Sequence, residues 1–172
     1  MPPLRAGARV VELGCWPGGW LQLLLERVGE SGRVVGVDLA ETDALPPAVV
    51  LQLDITESQT LDAIAEALGG SADLVLSDAA PKLSGIRDAD RGALEELYAA
   101  ALGVAEGVLV EGGSLIVKGF PGPEADAFRK ELRARFPHVA EVRPEGKRGT
   151  SKEFYWVAGQ EPRTRRKTKH KQ

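Results

Sequence analysis

The strongest constraint on the fold of this chain is an alternation. Short β-branched runs take turns with longer runs whose apolar residues recur every three or four positions. Runs of the first kind stand at 9–13 (RVVEL), 32–39 (GRVVGVDL), 48–54 (AVVLQLD), 72–78 (ADLVLSD) and 112–119 (GGSLIVKG). Each is bounded by Gly, Asp or Pro, and they read as strands. Runs of the second kind, at 20–29, 58–69 and 91–109, read as helices, and the first two close on a glycine suited to a helix end. Alternation on this scale builds βαβ units. Because the strands are almost continuously apolar, the sheet is expected to be mainly parallel, with helices on both faces. A further helix over 123–136 and a closing pair of strands, within 138–146 and 151–159, complete the body.

One domain accommodates all of this. At 172 residues, 43% hydrophobic and 27% charged, the chain can bury a continuous core without disulfide or metal staples. Cys15 is the single cysteine, and His138 and His170 are the two histidines, so neither an internal disulfide nor a metal site is expected. No run of about 18 apolar residues is present, and residues 1–10 lack a signal-peptide core. A cytoplasmic monomer with no membrane partner is therefore the expectation. The charge is lopsided: residues 161–172 hold six Lys/Arg against one acid, and that +5 within a total of −3 leaves −8 on residues 1–160. Residues 1–160 read as the domain and 161–172 as a basic, disordered tail, suited either to a polyanionic partner or to solubility.

In an open α/β sheet, ligands bind beyond the carboxyl ends of the strands, where the first strand turns into the first helix. The stretch VELGCWPGGW (11–20) occupies that turn. Its glycines allow close backbone approach, and a helix starting near Gly18 offers free N–H groups to a carboxylate or phosphate. The spacing is Glu12-x-Gly14-x-x-x-Gly18-Gly19 with Pro17 between, not GxGxxG, so the pyrophosphate cradle of an NAD(P)-dependent oxidoreductase is disfavoured. An acid, a glycine, three residues and a glycine form instead the pattern of S-adenosyl-L-methionine (SAM) methyltransferases; a plain tight turn is the alternative. Asp38, ending the second strand, could accept bonds from both hydroxyls of a ribose, in NAD or SAM alike. Asp54, ending the third, could bond the adenine amino group, with Ile55 on the ring. Either acid also reads as a helix cap or turn residue.

The stretch SDAAPKLSG (77–85) places Asp78 just past the fourth strand. Together with VKGF (117–120), SKEFYWVAG (151–159) and ELGCWPGGW (12–20), it resembles the FtsJ/RlmE family of SAM-dependent RNA ribose 2'-O-methyltransferases, from about Val10 to Gly159. The resemblance implies a Rossmann-like methyltransferase fold, a seven-stranded, mostly parallel sheet with an antiparallel C-terminal strand. It implies SAM held by the loop residues Glu12, Gly14, Pro17, Gly18, Gly19 and Trp20, by Asp38 and Leu39, by Asp54 and Ile55, and by Asp78. From the family's Lys-Asp-Lys-Glu set it implies catalytic roles for Asp78, Lys118 and Glu153. The first lysine of that set lies in the family on a helix ahead of the first strand and has no counterpart in this sequence. The expectation is a chain whose start lies further upstream; a catalytically weak or silent RNA-binding relative is the alternative.

The chemistry suits these residue types. A ribose hydroxyl is a weak nucleophile at neutral pH and the methyl group sits on a positively charged sulfur, so alignment is most of the task. Lys118 could hold the 2'-oxygen and stabilise its developing charge, or take up its proton. Asp78 would orient Lys118 and favour the cationic sulfur, and Glu153 would hold the lysine or the ribose. Lys82, Arg143, Lys147, Arg148 and Lys152 are candidate phosphate contacts, which bind by counterion release without reading sequence. The implied partner is RNA, foremost ribosomal RNA or the large ribosomal subunit, with a uridine of 23S rRNA as target. Trp16 and Trp20 are expected to pack rather than to stack on bases, Cys15 to fill a small buried space, and one of Tyr155 and Trp156 to be buried.

Overall fold

The computed structural model describes residues 4–82, 84–143 and 153–159. The chain runs β1 (Arg9–Leu13), α1 (Gly19–Val28), β2 (Arg33–Asp38), β3 (Val49–Gln52), α2 (Ser58–Leu68), β4 (Ala72–Ser77), α3 (Arg87–Val108), β5 (Leu109–Gly119), α4 (Pro123–Arg135), β6 (His138–Val142) and β7 (Phe154–Gly159). These form a seven-stranded sheet in the order β3-β2-β1-β4-β5-β7-β6. The strands from β3 to β5 pair in parallel, and β7 runs antiparallel to both β5 and β6. The chain leaves β1 toward β2 and β3, then returns to lay β4 on the other side. The carboxyl ends of β1 and β4 therefore flank the switch point at which such sheets hold ligands.

Period-two alternation sends the side chains of each strand to two cores. Val10, Val34, Leu74, Leu76 and Ile116 meet Leu21, Leu24 and Val28 of α1. Val11, Leu13, Val35, Val37, Leu115 and Val117 meet α2, α3 and α4 through residues such as Ile64, Ala105 and Leu132. Burial on both faces explains why these strands are apolar throughout. On β7, Phe154, Trp156 and Ala158 point into the three-helix side, where Trp156 stands edge-on to Tyr98, Phe128 and Phe154 at centroid distances of 5.4, 5.3 and 4.8 Å. Tyr155 and Val157 consequently face the α1 side.

Two elements run longer than their sequence pattern suggests. Helix α3 starts at Arg87 rather than Arg91, because the Asp90 carboxylate accepts bonds from the Ser84 N–H and hydroxyl, both at 2.7 Å, and from the Gly85 N–H at 3.1 Å. That turn feeds the chain into the helix early, with Asp88 and Asp90 favourably placed in its first turn. Strand β5 starts at Leu109 rather than Gly112; its first residues meet β4 only through Ala72↔Leu109, ahead of a register shift. Among the described residues no helix is long and apolar enough to cross a membrane.

Candidate active site

The end of β1 is pinned from both sides. The Asp78 N–H donates to the Leu13 carbonyl at 2.9 Å, while the N–H groups of Gly14 and Cys15 donate to the Val37 carbonyl at 2.8 and 3.2 Å. Gly14 has φ +78°, and a Cβ there would stand 2.6 Å from the backbone of Ala79, so only glycine lets the loop lie against the end of β4. The Gly18 N–H closes the turn onto the Cys15 carbonyl at 2.7 Å, and α1 begins at the next residue. Cys15 is buried, as expected of a filler, and burial pushes its thiol up to about 11.

Glu12 and Asp38 flank this turn, and Asp54 borders the cleft beyond Asp38. Glu12 is 1% exposed, and its Oε2 has no hydrogen-bond partner among the described residues. Burial above all, then the negative charges of Asp78 and Asp38, raise its carboxyl to about 8, so it carries a proton at neutral pH. Asp38 accepts the Trp16 N–H on Oδ2 at 2.9 Å and the Ala40 N–H on Oδ1 at 2.8 Å, tying the glycine loop to the end of β2. Asp54 accepts the Thr56 N–H and hydroxyl on Oδ1 at 2.8 and 2.7 Å, and these bonds hold its carboxyl below the usual range. Both acids thus serve as turn residues and still border a cleft.

Beside them lies a three-residue constellation. The Lys118 ammonium is 3.4 Å from Asp78 Oδ1, with the two side chains 11% and 25% exposed. The Tyr155 hydroxyl donates to the same oxygen at 2.7 Å. Lys118 and Tyr155 are directly paired across the antiparallel β5–β7 ladder, so sheet register alone delivers both to Asp78. Burial, followed by the bond to Asp78 and the charges of Asp78 and Glu153, pushes the Tyr155 hydroxyl well above its ordinary range and keeps it a donor. The lysine also stands 5.9 Å from the Phe120 ring centroid. Sequence reasoning found Asp78 and Lys118 but not Tyr155; the available signal was the alternation on β7, which turns Tyr155 away from buried Trp156. Glu153 immediately precedes β7 and is half-buried.

Two hollows meet at this end of the sheet. One, of about 320 Å³, lies over the glycine loop between Glu12, Pro17, Gly19, Trp20 and Asp78. The other, of about 510 Å³, runs past Asp38, Leu39, Asp54, Ile55, Asp78 and Lys118. Trp20 is half-buried, 6.4 Å edge-on from Tyr155, so the expectation that it packs holds. For Trp16 the packing expectation is corrected: it is 60% exposed, because Cys15 takes the inward position in the loop. Lys82 borders the larger cleft, whereas Arg143 is engaged with Glu141 at 2.9 Å. Lys147, Arg148, Lys152 and the tail 161–172 lie outside the described residues.

Residues 2–161 match the family model of the FtsJ-like methyltransferases. This chain belongs to that family. The ribosomal RNA large subunit methyltransferase E of Methanothrix thermoacetophila is 47% identical over 154 residues, covering 90% of this chain and 60% of the relative. The protein of the same name from Methanothermobacter thermautotrophicus is 42% identical, covering 90% of this chain and 74% of the relative. This chain therefore spans less than two thirds of the first relative's length. Among solved structures, a Plasmodium falciparum protein described as a ribosomal RNA methyltransferase superposes with a TM-score of 0.76 at 25% identity, covering 91% and 87% of the two chains. The fibrillarin of Aeropyrum pernix, with bound S-adenosyl-L-methionine, shares the fold at a TM-score of 0.64 and 16% identity.

FtsJ-like methyltransferases are SAM-dependent, and the residues present fit that donor. Glu12, which carries a buried oxygen without a partner among the described residues, lines the loop hollow, the glycine loop admits no side chain at Gly14, and apolar Leu39 and Ile55 line the larger cleft with the acids Asp38 and Asp54.

Proposed function

We propose that this chain methylates the 2'-hydroxyl of a ribose in large-subunit ribosomal RNA, using SAM, with a uridine as the acceptor nucleoside. The observation that carries the reading is the Asp78–Lys118–Tyr155 constellation, set at the switch point beside a glycine loop with the spacing of methyl-donor sites. The names borne by the relatives at 47% and 42% identity support the choice of RNA. When bound, SAM supplies a methyl group on a positively charged sulfur. The protein's part is positioning and electrostatics. Asp78, holding Lys118 at 3.4 Å and accepting from Tyr155 at 2.7 Å, fixes the ammonium at the cleft. From there Lys118 donates to the 2'-oxygen, aligns it and stabilises the negative charge that develops on it as the hydroxyl proton passes to solvent water and the methyl group moves from sulfur to oxygen. Glu153, entering from the start of β7, is read as holding the ribose or the lysine.

Glu12, Gly14, Pro17, Gly18, Gly19 and Trp20 are read as the amino-acid side of the donor site, Asp38 and Leu39 as the ribose side, and Asp54 and Ile55 as the adenine side. Lys82 of the cleft, with Lys147, Arg148, Lys152 and the basic tail, is read as contacting phosphates. The body 1–160 acts as one domain, as a cytoplasmic monomer. Of the exposed large apolar side chains among the described residues, Trp16 and Leu39 border the clefts, Ile86 sits just ahead of α3, Val110 lies at the start of β5 and Val142 at the end of β6.

The test is transfer of labelled methyl from SAM to ribosomal RNA or large subunits. Lys118→Ala and Asp78→Ala are expected to cut the rate by roughly 10² or more. Stabilisation of the fold by NADH but not by SAM or S-adenosylhomocysteine would sink the reading.

A further inference from the structure

Trp16 is the large apolar side chain that the glycine loop leaves outside, 60% exposed. Its backbone is fixed on both sides. Cys15 before it is buried against β2, where a Cβ on Gly36 would meet the Cys15 sulfur at 2.9 Å. The Trp16 N–H donates to Asp38 at 2.9 Å, and the Gly18 N–H returns to the Cys15 carbonyl at 2.7 Å. With residue 15 turned inward and the loop closed behind it, the indole is held outward at the carboxyl end of the sheet. There Trp16 borders both hollows: the one over Glu12 and Trp20, and the one past Asp38, Asp54 and Asp78. Gly14, Trp16 and Asp78 are common to the two linings.

We propose that Trp16 is a cofactor-contacting residue, its indole packing on the methyl donor where the loop hollow meets the nucleoside cleft. This rests on the SAM reading above. A ligand that fills both hollows must pass their shared walls, and Trp16 is the only large side chain among the three residues that form them. A tryptophan face offers a large contact area and attracts a positive centre such as a sulfonium. Because the loop already holds the residue in place, little ordering entropy is lost on contact. A role as a platform for an RNA base is the competing assignment; the bond from the Trp16 amide to Asp38, the acid read as holding the ribose of the donor, favours the cofactor.

Calorimetric titration of the full chain with S-adenosylhomocysteine tests the proposal, with Trp16→Ala and Trp16→Phe compared. Truncating an exposed side chain is expected to leave the ligand-free melting curve near that of the parent. Trp16→Ala is expected to weaken binding about ten-fold, or about 1.4 kcal/mol, and Trp16→Phe only about two- to three-fold. The tryptophan emission change on adding S-adenosylhomocysteine should be smaller in Trp16→Phe than in the parent, the remainder coming from Trp20 in the loop hollow. Parent-like affinity in Trp16→Ala overturns the proposal, as does a variant that binds S-adenosylhomocysteine normally and loses only RNA affinity. A parent that shows neither heat nor thermal shift with this probe overturns the cofactor reading itself, and this proposal with it.

Discussion

At the scale of single residues, the site is governed by what surrounds each carboxyl group. Glu12 keeps its proton in the folded chain up to about 8, whereas its ordinary value is 4.5. Between those values Glu12 holds a proton in the folded state that it has lost in the unfolded state, so its contribution to stability falls as pH rises through that window and is constant outside it. Glu12→Gln preserves the shape without titrating. It is expected to remove that slope and to be more stable than the parent above pH 8, as read by urea denaturation at pH 5 and pH 9; parallel behaviour of the two proteins would refute the account. Tyr155→Phe deletes the hydroxyl that donates to Asp78 at 2.7 Å. Methyl transfer is expected to drop about ten-fold while stability changes by only about 1 kcal/mol. A loss of fold matching the loss of rate would show that the hydroxyl is structural.

At the scale of elements, close approaches between segments set the site. Gly14→Ala would combine a positive φ of +78° with a Cβ 2.6 Å from the Ala79 backbone, which cannot move without shifting Asp78. It is expected to cost about 2 kcal/mol or more and to weaken S-adenosylhomocysteine binding, both measurable by thermal denaturation with and without the ligand. Trp156→Ala would empty the centre of the aromatic cluster joining β7, α3 and α4, at about 3–5 kcal/mol. Most element positions were legible in the sequence: β1 matches its β-branched run at both ends, and α1, α2 and β4 match theirs to within a residue. The start of α3 was not, because a side-chain turn from Asp90 to Ser84 and Gly85 leads into it rather than an apolar stripe.

At the scale of the whole molecule, charge is divided between a body at −8 and a terminal twelve residues at +5. An acidic body repels RNA at long range, so the basic residues carry a salt-sensitive attraction. Deleting residues 161–172 is expected to lower affinity for ribosomal RNA at low salt and to make the dependence on salt shallower. Filter binding across a salt series reads both, and equal slopes for the two proteins would remove the tail from the interface.

The sequence by itself determined the elements, the first-loop glycine spacing and the ligand-binding end of the sheet. Periods of two and 3.6, and the residues that interrupt them, report energies that are local to the chain. It also marked Asp78 and Lys118 at strand ends. Only the tertiary structure decided that Tyr155, 77 positions from Asp78, shares that carboxylate with Lys118, because this depends on β7 lying antiparallel beside β5 in one register. It decided, too, that the Glu12 carboxyl is raised and that Trp16 faces out: desolvation and exposure belong to everything packed around a side chain, and segments far apart in sequence supply that packing.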